Sequence, residues 1–276
     1  MQLQQLIEQT PEQIQLYVQQ HEQQVVEAML QQIGATDAFT RETVNFQLFS
    51  YLINEQLFQT ASYNEIANFF ISNRTLLQDI QVANSDAVFT RSSTALWLTL
   101  LLKEEQKTRR LDDATFEAIQ LQAIESLQRE KDARGYIDAE RGWADAVGVI
   151  AELCYVVLQD ERFDITKTSQ MLQAISASLW NEHVFTNNED ERFIKILMAF
   201  VHKGVDEALL IEWVEQVFDR LEYYGYEAGY TQQWFTARTN ILQLMKTLYF
   251  HLKFSHQYDQ LRATASIFIQ KWLKLS

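Results

Sequence analysis

Seven side chains, Asp86, Arg91, Asp132, Arg134, Arg141, Trp143 and Asp145, crowd two short stretches of the sequence where helices begin or connect. Carboxylates and guanidiniums placed this way support two kinds of chemistry. As a polar pocket, Trp143 forms a stacking wall, Arg91 or Arg134 an anion clamp, and Asp132 or Asp145 a general acid or base. As a structural network, the acids satisfy orphan N–H groups at helix starts and the arginines close bidentate pairs with neighbouring carboxylates. The residue types fit both readings, and the second needs no ligand.

A second cluster is aromatic. Tyr223, Tyr224, Tyr226 and Tyr230 surround Gly225 and Gly229, a composition suited to adaptable recognition of a peptide or sugar from a loop, or to tyrosines packing back on the core. Trp234, Phe235, Tyr249, Phe250 and Phe254 follow at helical spacing and are expected to make core contacts. The histidines, His21, His183, His202, His251 and His256, show no metal-ligand spacing, and Cys154 stands alone in an apolar run. Nucleotide-binding glycine patterns and a G-x-S-x-G serine are absent from the sequence. No metal and no cofactor is expected.

The elements that position these residues are helices. The chain has 276 residues with 47% hydrophobic and 22% charged side chains, so it has the apolar surface to form a sizeable core. Seven glycines and one proline leave little of the punctuation that sheets and long loops need. Apolar periodicity predicts helices near 11–20, 22–33, 41–55, 63–72, 86–103, 112–130, 139–159, 166–181, 189–202, 205–223, 229–252 and 256–274. Thr10-Pro11-Glu12-Gln13 reads as a capped helix start, and Gly34 as a helix end. The segments around Leu98 and Val149 are apolar on nearly every side and should be central. Helix pairs returning every 40–50 residues or so predict an all-α fold of irregular antiparallel pairs, a HEAT- or armadillo-like αα-superhelix or a closed α/α array, in one domain over 1–276.

Charge narrows the partners. A net charge of −14 opposes nucleic acid and anionic membranes, and no apolar run reaches the ~20 residues of a membrane span. The contrast lies at the C-terminal end, where Arg238, Lys246, Lys253, Arg262, Lys271 and Lys274 face one acid, Asp259. These bases are expected to help the last helices dock on an acidic body. A lone, apolar-flanked cysteine and the lack of a leader-like N-terminus fit a cytoplasmic protein.

Three segments carry a resemblance. Ser85-Asp86-Ala87-Val88-Phe89-Thr90-Arg91-Ser92, Glu130-Lys131-Asp132-Ala133-Arg134-Gly135-Tyr136 and Arg141-Gly142-Trp143-Ala144-Asp145-Ala146 follow one another in that order. Together they resemble an uncharacterised bacterial family of domains of unknown function, all-helical and HEAT-like, with the pattern D-x-V-F-x-R-S, D-x-R-G-Y/F and G-W-A-H-A. The likeness runs from about Asp37 to the helices after residue 166, and it implies no activity. The family's third motif continues with two histidines and a carboxylate, where this chain has Asp145, Val149 and Glu152. Asp145 and Glu152 are two turns apart, roughly 10 Å, too far to share a metal ion unaided.

The role this sequence points to is binding a protein or peptide on a concave or grooved face, since helix-pair arrays create extended surfaces. The alternative is an enzyme, a hydrolase or lyase acting on a small anionic or carbohydrate substrate through the Asp/Arg/Trp cluster.

Overall fold

Thr10 accepts the amide of Gln13 on its hydroxyl, Gln13 accepts the amide of Thr10 in return, and Pro11 opens the helix between them. This reciprocal cap starts the first long helix of a chain whose residues 2–274 are described by a computed structural model. The α-helices are α1 (Leu3–Ile7), α2 (Pro11–Gln31), α3 (Gln47–Asn54), α4 (Thr60–Ser72), α5 (Ala87–Thr108), α6 (Asp113–Arg129), α7 (Ala146–Gln159), α8 (Thr168–Leu179), α9 (Glu189–His202), α10 (Glu207–Ala228), α11 (Gln232–Ser255) and α12 (Asp259–Leu273). A π-helical segment, Phe39–Phe46, leads into α3, and one small hairpin, β1 (Tyr136–Asp138) with β2 (Gly142–Trp143), separates α6 from α7.

Antiparallel pairing places alternate helices in two layers. α3, α5, α7, α9 and α11 stack in chain order, with α2, α4, α6 and α8 opposite. Trp213 of α10 extends the second layer by donating to Leu172 O and Ser176 Oγ of α8, and α12 packs on α10 and α11. One apolar cluster runs through the stack from Leu3 to Leu261. Its centre is α5 and α7, buried on nearly every side as their composition implies, with Trp97 stacked on Phe49 at 3.9 Å. No helix among the described residues is long and apolar enough to cross a membrane.

The structure changes several element boundaries. The expected helices 11–20 and 22–33 are one helix kinked at His21, whose ring lies on Tyr17 at 4.5 Å. Gly34 does not cap a helix: a Cβ there would meet Thr90 Oγ1 at 2.0 Å, so glycine permits α5 to come close. Helix α7 begins at Ala146 instead of 139, because Gly142 turns the chain at φ +67° and the preceding residues pair as a hairpin. Helix α10 runs on through the tyrosine segment to Ala228, as one glycine inside an amphipathic helix is insufficient to end it and the chain turns only at Gly229, φ +75°.

Candidate functional site

The motif residues build the loop between α6 and α7, and they do so mostly by satisfying one another. Arg91 on α5 grips Glu130, the residue after α6, through Nε at 2.6 Å and Nη2 at 3.0 Å, while its Nη1 donates to Gln78 O. Glu130 also accepts the amides of Lys131 and Asp132, so this buried carboxylate folds the start of the loop around itself. Asp132 and Arg134 close a bidentate pair, and Arg134 Nη2 donates to Ser85 O before α5. Arg141 pairs with Asp138 at 2.8 Å.

A second buried arginine, Arg41 in the π-helical segment, clamps the hairpin from the other side. Its guanidinium lies 4.1 Å from the Phe89 ring centroid and donates to the carbonyls of Ala35, Thr36, Arg141 and Trp143. Glu42 accepts the amide of Trp143. Trp143 itself is exposed, edge-on to exposed Tyr136 at 5.6 Å. Asp86 is exposed at the start of α5 and makes no side-chain cap.

The six candidate pocket residues therefore do not share one pocket. Arg91 and Asp132 line a cavity of about 760 Å³ with Lys131 and His183, whereas Asp86, Arg134, Trp143 and Asp145 are not on its walls. Asp145 differs from the other motif acids because its charge is only loosely compensated. It sits in the left-handed region at φ +46° before α7, its side chain is 15% exposed, and the nearest guanidinium, Arg192, is 3.9 Å away. Burial pushes its carboxyl up to about 6, with Arg192 pulling down and Glu189 adding to the rise. Glu152, one of the three positions where the resembled family carries metal-type residues, lies between Lys103 at 3.4 Å and Lys195 at 2.8 Å. Among the described residues no group of three or more His, Cys, Asp or Glu side chains is arranged to hold a metal ion.

The tyrosine cluster is divided, with three of the four on α10 and Tyr230 in the turn before α11. Tyr223 and Tyr226 point to solvent from the last turns of α10; Tyr224 packs on Trp180 at 4.9 Å and donates to Gln233; Tyr230 meets Trp234 at 4.8 Å. Only Tyr230 stands outside a helix.

A larger surface feature lies where core contacts are expected. Phe235, Phe250 and Phe254 on α11 are 50%, 50% and 73% exposed, and only Trp234 of that group is well buried. These rings belong to a run of connected depressions along α11. A groove of about 770 Å³ between α7 and α9 is lined by Tyr155, Lys195, Met198, His202 and His251. It meets a second at Met198 and His251 that adds Phe250 and Phe254, a third at Phe250 that adds Lys246 and Thr247, and a fourth at Arg238 that adds Tyr230, Trp234 and Trp272. From Trp234 to Phe254 this spans about 30 Å of helix.

Of the C-terminal bases, only Lys271 docks on the acidic body as expected. Lys271 pairs with Glu222 and Arg262 with Asp259 of its own helix, but Arg238, Lys246, Lys253 and Lys274 have no carboxylate partner among the described residues. The sequence carries the signal for this surface, because residues 228–258 contain no aspartate or glutamate in a chain of net charge −14.

A model of one protein family, described as proteins of unknown function (DUF2785), matches residues 76–250, a span that takes in α5 to α10, most of α11 and all three motif segments. No curated protein and no solved structure matches the chain.

Proposed function

For this chain, which belongs to the DUF2785 family, we propose a role as a polypeptide-binding array that seats a segment of another protein along α11. The observation that carries this reading is the run of adjoining depressions from Tyr155 to Trp234, bordered by exposed phenylalanines. Apolar rings left in water beside a groove supply binding energy when covered, about 1.5–3 kcal/mol for each ring fully buried. The motif loop supports the site from a distance, since its arginines hold the starts of α5 and α7 in place. The HEAT-like pairing of the helices fits this role, as does a cytoplasmic setting for a chain whose one cysteine is buried and free.

The test is selection from a random peptide-display library on the whole protein, scored against the Phe250→Ser/Phe254→Ser variant. Clones enriched on the native protein and lost on the variant support the reading. Failure to enrich any clone, or equal enrichment on both proteins, overturns it.

One observation favours the second reading, an enzyme of the hydrolase or lyase type. Asp145, with its carboxyl raised to about 6 and Trp143 close by in the chain, has the protonation behaviour of a general acid or base. Turnover of small anionic or carbohydrate substrates that disappears in Asp145→Asn supports it; unchanged turnover in that variant removes it.

A further inference from the structure

We infer that the α11 groove selects acidic segments carrying an aromatic or large apolar anchor; this rests on the polypeptide-binding reading and specifies its partner. Helix α11 has three basic residues and no acidic one. Lys203 and Lys246 stand on the groove walls with no carboxylate partner among the described residues, and Arg238 donates to a backbone carbonyl, Trp272 O, and lies over the Trp234 ring with no carboxylate beside it. The carboxylates lining it are Glu191 and Glu222, the second already held by Lys271. Groups kept unpaired beside apolar pockets gain most from a ligand that brings the opposite charge and excludes water from around it.

The pockets between the bases select against a plain polyanion. Bases here are separated by Phe250, Leu242 and the cleft of Trp234, Tyr230 and Trp272, whereas a phosphate track sets cations in a continuous line. The cleft has a volume of about 570 Å³, enough for one bulky side chain. Trp272 keeps its indole N–H buried with no hydrogen-bond partner, and a shift of that ring as the anchor enters would let it donate to a carbonyl of the incoming chain. An acidic segment with intervening apolar residues matches both components of the groove.

The experiment uses clones recovered from the display selection, synthesised with a fluorescein label and titrated with the full chain by anisotropy. Recovered sequences should be enriched in Asp and Glu around one aromatic residue. Replacing those acids by Asn and Gln should weaken binding at least tenfold, as should Lys203→Glu/Lys246→Glu, two exposed positions whose change leaves the thermal melt in place. Binding should also weaken as salt is raised from 50 to 300 mM. Recovered clones that are neutral or basic, or that bind equally well as amides, overturn the acidic preference while leaving a polypeptide-binding groove intact. Tighter binding of a poly-dT oligonucleotide than of any clone assigns the groove to nucleic acid and overturns the inference. Self-association on sedimentation that Lys203→Glu/Lys246→Glu abolishes assigns it to a second copy of the chain, with the same consequence. Absence of any enriched clone removes the polypeptide reading itself.

Discussion

Arg91 and Glu130 face each other across the junction of α5 and α6 as a bidentate pair, both side chains sealed from solvent at 1% and 0% exposure. The pair joins two of the three motif segments, one at the start of α5 and the other after α6. Glu130 further holds the amides of Lys131 and Asp132.

Breaking this pair from either side leaves a charge buried without its partner. Arg91→Met and Glu130→Gln are each expected to cost about 3–5 kcal/mol, measured by urea denaturation. The double variant should cost less than the sum of the two, because no lone charge remains. A fully additive double variant shows that the two side chains act independently.

Arg41 joins two segments that are far apart in sequence, and its geometry depends on the guanidinium fork. Its nitrogens reach Ala35 and Thr36 on one side and Arg141 and Trp143 on the other. A lysine ammonium presents its donors from one point and cannot span both. Arg41→Lys is expected to lose about 2–4 kcal/mol and to speed amide exchange selectively over residues 135–145. Uniform loss of protection across the chain contradicts the clamp.

Asp145 makes stability depend on pH in the direction opposite to a salt-bridged acid. Its folded pKa is raised from 3.8 to about 6, so the folded state holds a proton that the unfolded chain releases. The penalty for ionising it is absent below the unfolded value, grows between the two, and is fully present above about pH 6. Asp145→Asn removes that penalty and keeps a residue that tolerates the left-handed backbone. The variant should be more stable than the native protein by up to about 3 kcal/mol at pH 7.5 and indistinguishable at pH 3, below the unfolded value, by chemical denaturation at both pH values. A variant less stable at pH 7.5 means that the ionised carboxylate favours the start of α7.

Helix order, the central places of α5 and α7, and the two-layer pairing are legible in the sequence, because apolar periodicity and the shortage of glycine and proline report directly on burial. The motif residues are legible as a set. Their partners are not: Glu130 stands inside the second motif without marking itself as the acceptor for Arg91, and Arg41 lies a hundred residues from the carbonyl of Arg141 that it holds. Pairing across the array is a tertiary fact that spacing does not encode. The exposed face of α11 misleads for a different reason. Phe250 and Phe254 are four residues apart, as are the buried Leu248 and Leu252 on the opposite face, so both rows keep helical spacing, and hydrophobicity alone does not tell the inner row from the outer one. The acid-free stretch around them is the discriminating signal, since a helix that only packs has no reason to exclude carboxylates from its outer face.

The thinness of α12 has a consequence for how occupancy of the groove becomes visible. This helix fully buries only Leu261 and Ala265, with Phe268, Ile269 and Trp272 half-covered, whereas α5 and α7 each bury more than ten residues. In an array held by neighbour contacts, the free energy of local opening is low where burial is thin. One wall of the Trp234–Trp272 cleft is therefore made from a thinly buried helix. A ligand seated there bridges α11 and α12 and adds to α12 the burial that its own side chains leave unmade.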